Sequence, residues 1–138
     1  PNDTAAAAVT IDTGGDGQIS DCEAAQSLTA NATLSNVDWY GFHGLDQTCG
    51  LDDIQPHAKL TSGSGLTVCV YLKPTNGSSP PSCLLGTSDN SLSGCCSSSE
   101  ARLQFGSNLA NDEADVRIKV TASSSACTAY SMEYAYGK

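Results

Sequence analysis

Four stretches of this chain alternate apolar and polar residues with a period of two, and only an extended backbone uses such a pattern. In a strand successive side chains point to opposite faces, so alternation produces one apolar face and one wet one. Over 66–73, Leu66, Val68, Val70 and Leu72 face one way, and Thr67, Cys69, Tyr71 and Lys73 the other. Over 101–105, Ala101, Leu103 and Phe105 alternate with Arg102 and Gln104; over 115–121, Val116, Ile118 and Val120 alternate with Arg117 and Lys119. Over 126–136, Tyr130, Met132, Tyr134 and Tyr136 share a face opposite Cys127, Ala129, Ser131 and Glu133. Weaker strands are expected over 6–11 and 33–40. The last three alternating segments follow one another through short polar loops, which predicts an antiparallel meander.

Helix is expected only over 21–29. There Ser20-Asp21-Cys22-Glu23 spells a capping box, with Ser20 and Glu23 satisfying each other's amides. Over 74–100 the chain turns to Pro, Gly and Ser, too polar to order itself by burial, and a long surface loop pinned by its cysteines is expected. The fold class is therefore mainly β: a compact antiparallel β-barrel or sandwich with one short helix and one long disulfide-pinned loop. At 138 residues the chain reads as one domain that buries roughly two thirds of its unfolded surface.

Seven cysteines, Cys22, Cys49, Cys69, Cys83, Cys95, Cys96 and Cys127, place such a chain in an oxidising compartment. The number is odd, so one thiol is free or bonded to another chain, and an intermolecular bridge would tie a homodimer. Connectivity stays open; loop closure favours Cys83 with Cys95 or Cys96. Pro1-Asn2-Asp3-Thr4 reads as a mature terminus, and sequons at Asn2, Asn31 and Asn76 agree with a secretory route. Secretion to the extracellular space is the expectation. Fifteen acids against six bases give a net charge of -9, which repels nucleic acid and anionic membrane surfaces, and no apolar run is long enough to span a bilayer.

The sharpest motif lies at 12–23 and resembles an EF-hand calcium loop. Asp12, Asp16, Gln18, Ser20 and Glu23 stand at positions 1, 5, 7, 9 and 12, and Gly17 at the turn. Gly14 at position 3 offers no side-chain oxygen, and the same letters also spell a glycine turn followed by a cap. No other cofactor is implied. The two histidines, His43 and His57, lack the short spacing of a zinc site, and no Gly-x-Ser-x-Gly elbow or paired glutamate motif is present. For binding, the stripe Tyr130, Tyr134 and Tyr136 and the lone Trp39 are candidate surface anchors, with core packing as the competing reading.

The start Pro1-Asn2-Asp3-Thr4-Ala5, the acidic Ser/Thr-rich composition, the Cys95-Cys96 doublet and the β-rich C-terminal half resemble the small secreted cysteine-rich proteins of ascomycete fungi. Many of these act as effectors on plant hosts. Length and strand pattern are similar to the Alternaria major-allergen family, whose compact β-barrels dimerise and modulate plant defence. The resemblance implies a non-catalytic effector-like protein that binds a host protein or carbohydrate outside the cell. A small extracellular hydrolase, or a calcium-dependent binding module using the 12–23 loop, are the other expectations.

Overall fold

The computed structural model describes residues 2–11, 14–33, 36–47, 54–75, 81–89, 91–105 and 112–137. After a 3-10 turn at Ala5–Ala7 come β1 (Val9–Thr10), β2 (Gln18–Ser20), β3 (Gln26–Ala32), β4 (Asp38–Leu45), β5 (His57–Ser62) and β6 (Leu66–Pro74). They are followed by β7 (Ser82–Leu85), β8 (Thr87–Asp89), β9 (Gly94–Ser97), β10 (Glu100–Gln104), β11 (Ala114–Ala122) and β12 (Thr128–Ala135). Seven strands form the larger sheet, in the order β1-β4-β11-β6-β9-β8 with β2 also on β4; five form the smaller, β3-β12-β5-β10-β7. Pairing is antiparallel except where β1 and β2 join β4. The two sheets face each other over a shared core as an open sandwich, not a closed barrel. No helix among the described residues is long and apolar enough to cross a membrane.

All four alternating segments form strands, and their apolar positions make the core. Val68, Val70, Val116, Ile118 and Val120 of the larger sheet are at most 1% exposed, and Tyr130, Met132 and Leu103 oppose them from the smaller. Each such side chain contributes roughly 1.5–3 kcal/mol by leaving water. The tyrosines' hydroxyls find partners inside. Tyr130 Oη lies 2.7 Å from Tyr40 Oη and donates to Asp38 Oδ2 at 3.0 Å, a polar link between the sheets. Tyr134 donates to Gln26 and Tyr136 to the Asp112 carbonyl. Burial and these partners push the Tyr130 and Tyr136 hydroxyls above their ordinary range, and burial also raises the Asp38 carboxyl.

Three expectations need correction. The helix over 21–29 is absent: Asp21–Glu23 is a turn, and β3 follows it. Glu23 Oε1 does accept from the Ser20 amide (3.1 Å), but Ser20 Oγ accepts from Cys22, so half of the capping box closes a turn and no helix. The strand wins because Gln26, Leu28, Ala30 and Ala32 line one face and all of β3 pairs with β12 from Thr128 to Tyr134. The 74–100 loop is instead a run of three short strands, β7, β8 and β9, with 76–80 and Asn90 outside the described residues. The meander also fails: β10 and β12 belong to the smaller sheet, while β11 crosses to the centre of the larger one.

The cysteine doublet follows from the strand's own period. On β9, Cys95 points inward and bonds Cys83 of β7, which clips the two sheets together; Cys96 points outward and bonds Cys69 directly opposite on β6. Cys83–Cys95 is one of the two closures the loop argument favoured. Cys22 is also disulfide-bonded, Cys49 lies outside the described residues, and Cys127 is a free, exposed thiol in the turn before β12.

Candidate functional site

The outward face of the larger sheet is built in rows set by strand register. Opposite one another stand His43, Asp115 and Lys73; then Gly41, Arg117, Tyr71 and Gly94; then Trp39, Lys119, Cys69 and Cys96. On β11 the odd-numbered residues 115, 117 and 119 share this face because the even ones are spent on the core. Three of the six cations in an acidic chain thus meet the only tryptophan and a disulfide on one surface.

Two of these rows carry a small apolar cluster. Trp39 and Tyr71 stack at 5.6 Å between ring centroids, against Cys69 and Cys96, with Ala5 and Ala8 of the N-terminal segment packed on top. That segment is tied down at Trp39: its amide donates to the Asn2 carbonyl (3.0 Å), and Asn2 Nδ2 donates to its carbonyl (2.8 Å). Lys119 Nζ sits 5.6 Å over the indole, a cation–π contact. Tyr71 lies flat across Gly94, where an added Cβ would strike its ring, and donates to Asp89 Oδ2 at 2.9 Å. Burial, then Asp89, pushes the Tyr71 hydroxyl well above its ordinary range, while hydrogen bonds from Ser91 and Tyr71 hold the Asp89 carboxyl below 3.8. Tyr71 is therefore a fixed neutral donor.

Two depressions open on this face. One, of about 250 Å³ and mostly apolar, is lined by Ala5, Trp39, Tyr71 and Leu92 together with Lys73 and Arg117. The other, of about 260 Å³ and mostly polar, is lined by Thr10, Asp16, Gly41, His43, Asp115 and Arg117. Asp115 and Arg117 line both, so the two are neighbours sharing a wall. Arg117 lies over Gly41, where an added Cβ would come within 2.6 Å of Nη1, and its one hydrogen-bond partner among the described residues is the Val116 carbonyl. His43 Nδ1 is 3.0 Å from Asp115 Oδ1, and Nε2 is 4.0 Å from Glu113.

The residues singled out in the sequence fare differently. Tyr130, Tyr134 and Tyr136 are at most 3% exposed and belong to the core, which corrects their reading as a binding surface. Trp39 does line a pocket, though it is itself buried at 7% exposure. In the 12–23 loop, Asp12 lies outside the described residues and Gln18 is exposed on β2. Asp16 Oδ1 accepts from the Gln18 amide, Ser20 Oγ from Cys22, and Glu23 from the Ser20 amide and the Gln26 side chain. No group of three acidic, His or Cys side chains among the described residues is arranged to hold a metal ion. His57 is buried, with Nδ1 on the Gln55 carbonyl, and desolvation lowers its affinity for a proton. Asn2 is half-buried, Asn31 is exposed on β3, and Asn76 lies outside the described residues. Sequence reasoning missed the meeting of Lys73, Arg117 and Lys119 with Trp39. The spacing 115, 117, 119 was the available signal; the partner strands were not.

Comparison with known protein families, characterised proteins and solved structures finds no match for this chain. What defines it is its own geometry: a disulfide-clipped β-sandwich with a mixed aromatic and cationic groove on one outer face.

Proposed function

We propose that this chain is a secreted, effector-like binding protein that engages an extracellular host target without catalysis, and that the outer face of the larger sheet is the surface it uses. The observation that carries this reading is the concentration there of Trp39, Tyr71, Lys73, Arg117 and Lys119 around two adjoining depressions. Folding alone does not require cations there, and groupings of Arg with aromatic residues are enriched where proteins recognise partners. Disulfides agree with an extracellular setting. Leaf infiltration tests it: the wild-type protein elicits or suppresses a defence response, and Arg117→Ala loses that effect. No response to the wild type in any host tested contradicts the effector role, and an undiminished response to Arg117→Ala contradicts the choice of face.

One observation favours a second reading. His43 is oriented by Asp115 in a polar depression, as a general base would be, so hydrolysis at His43 is the alternative. Turnover of ester or phosphodiester substrates that disappears in His43→Ala supports it, and no turnover by the wild type removes it.

A further inference from the structure

Chemistry on the outer face also narrows what it takes. We infer that the paired depressions hold a small organic anion, with a compact apolar or aromatic body in the Trp39–Tyr71 pocket and a carboxylate, phosphate or sulfate head at Lys73 and Arg117. The inference rests on reading this face as the binding site and names the ligand class for it.

The partners of the charged side chains point to where an anion can sit. The chain as a whole repels anions at a net charge of -9, so an anion site must be made locally. The rim carboxylates keep their charge but are hydrogen-bonded elsewhere: Asp115 to His43, Asp89 to Tyr71 and Ser91, and Asp16 to the Gln18 amide. Glu113 is at 4.0 Å from His43 Nε2. Neither Lys73 nor Arg117 has a carboxylate within ion-pair distance among the described residues, whereas Arg102 on the smaller sheet is held at 2.6 Å by Glu100. Arg117 spends one donor on the Val116 carbonyl and keeps the rest of its fork, the geometry that suits a two-oxygen head. A point charge from Lys73 lines the same pocket.

Shape decides the body. A volume of about 250 Å³ falls below the usual range of drug-sized sites, which limits the occupant to about one ring or a short branched chain. The lining of Ala5, Trp39, Tyr71 and Leu92 offers that body apolar contact, with Asp115 as the one carboxylate beside Lys73 and Arg117. A sugar ring would need an open aromatic face, and that of Trp39 has Lys119 over it while Tyr71 is 4% exposed.

Two-dimensional NMR titration of the intact protein at low ionic strength tests the inference, with benzoate, phenyl phosphate, phenyl sulfate, inorganic phosphate and benzyl alcohol as probes. Saturable binding is expected for at least one of the three aryl anions, with shifts centred on the Trp39 indole and the amides around Arg117. Ranking those three identifies the head. Benzyl alcohol and inorganic phosphate, each lacking one half, bind at least about tenfold more weakly, and Arg117→Ala and Lys73→Ala each weaken the aryl anion by a similar factor. Lys59→Ala on the other sheet leaves it unchanged. Equal affinity for benzyl alcohol, shifts centred elsewhere, or no saturable binding of any aryl anion at millimolar concentration overturns the inference. Loss of the leaf response in Arg117→Ala without any anion binding would leave the binding face standing and this ligand class refuted.

Discussion

The inner and outer faces of the larger sheet are made by the same strands in the same register, yet they share few residue types. Inward, β6 and β11 present Val68, Val70, Val116, Ile118 and Val120, interchangeable in kind and sealed from water. Outward, the intervening positions carry Cys69, Tyr71, Lys73, Asp115, Arg117 and Lys119, six residues of five kinds. The inner face is what folding requires of a strand. Nothing about folding requires the outer face to gather half of a scarce supply of cations around an indole. The contrast separates stability from recognition on one element, and substitutions on the two faces should differ accordingly.

The largest expected effect is on the inner face. Ile118→Ala removes a fully buried side chain at the centre of the sheet and should cost about 2–5 kcal/mol, read as a lowered urea midpoint. Gly94→Ala comes next, because its Cβ would strike the Tyr71 ring on the outer side. An overpacking cost of about 1–3 kcal/mol is expected, together with a displaced Tyr71 visible in the indole and phenol fluorescence. This variant blurs the two faces, since it strains the fold and deforms the groove at once.

How much of this was legible beforehand follows from range. The alternation at 66–73, 101–105, 115–121 and 126–136 is local, so four strands and most of the core could be read directly. β3 was hidden because its face of Gln26, Leu28, Ala30 and Ala32 has only one large apolar residue and follows a convincing cap. The strands β7, β8 and β9 are three or four residues long and rich in Ser and Gly, and disulfides and pairing, not hydrophobicity, order them. The outer groove depends on register between residues such as His43 and Asp115, which are 72 positions apart. No local pattern reports that.

A pH series sharpens the comparison with a smaller effect. Desolvation lowers the His57 pKa from 6.5, so the unfolded chain binds a proton that the folded one resists. His57 therefore contributes stability that is present above 6.5 and lost as the pH falls through its lower folded value. The slope is at most about 1.4 kcal/mol per pH unit. His57→Gln should flatten that decline in a series of unfolding midpoints; an unchanged slope would show that His57 carries none of it.

The smallest stability effect belongs to the outer cations. Arg117→Ala and Lys73→Ala are each expected to shift stability by no more than about 0.5 kcal/mol, since neither residue holds an ion pair among the described residues. The two faces are separated in one sample by the urea midpoint and the leaf response of the Lys73→Ala/Arg117→Ala double variant. A midpoint near that of the wild type and a response that is gone are expected. A collapsed midpoint, or a response left intact on a stable fold, would contradict that separation.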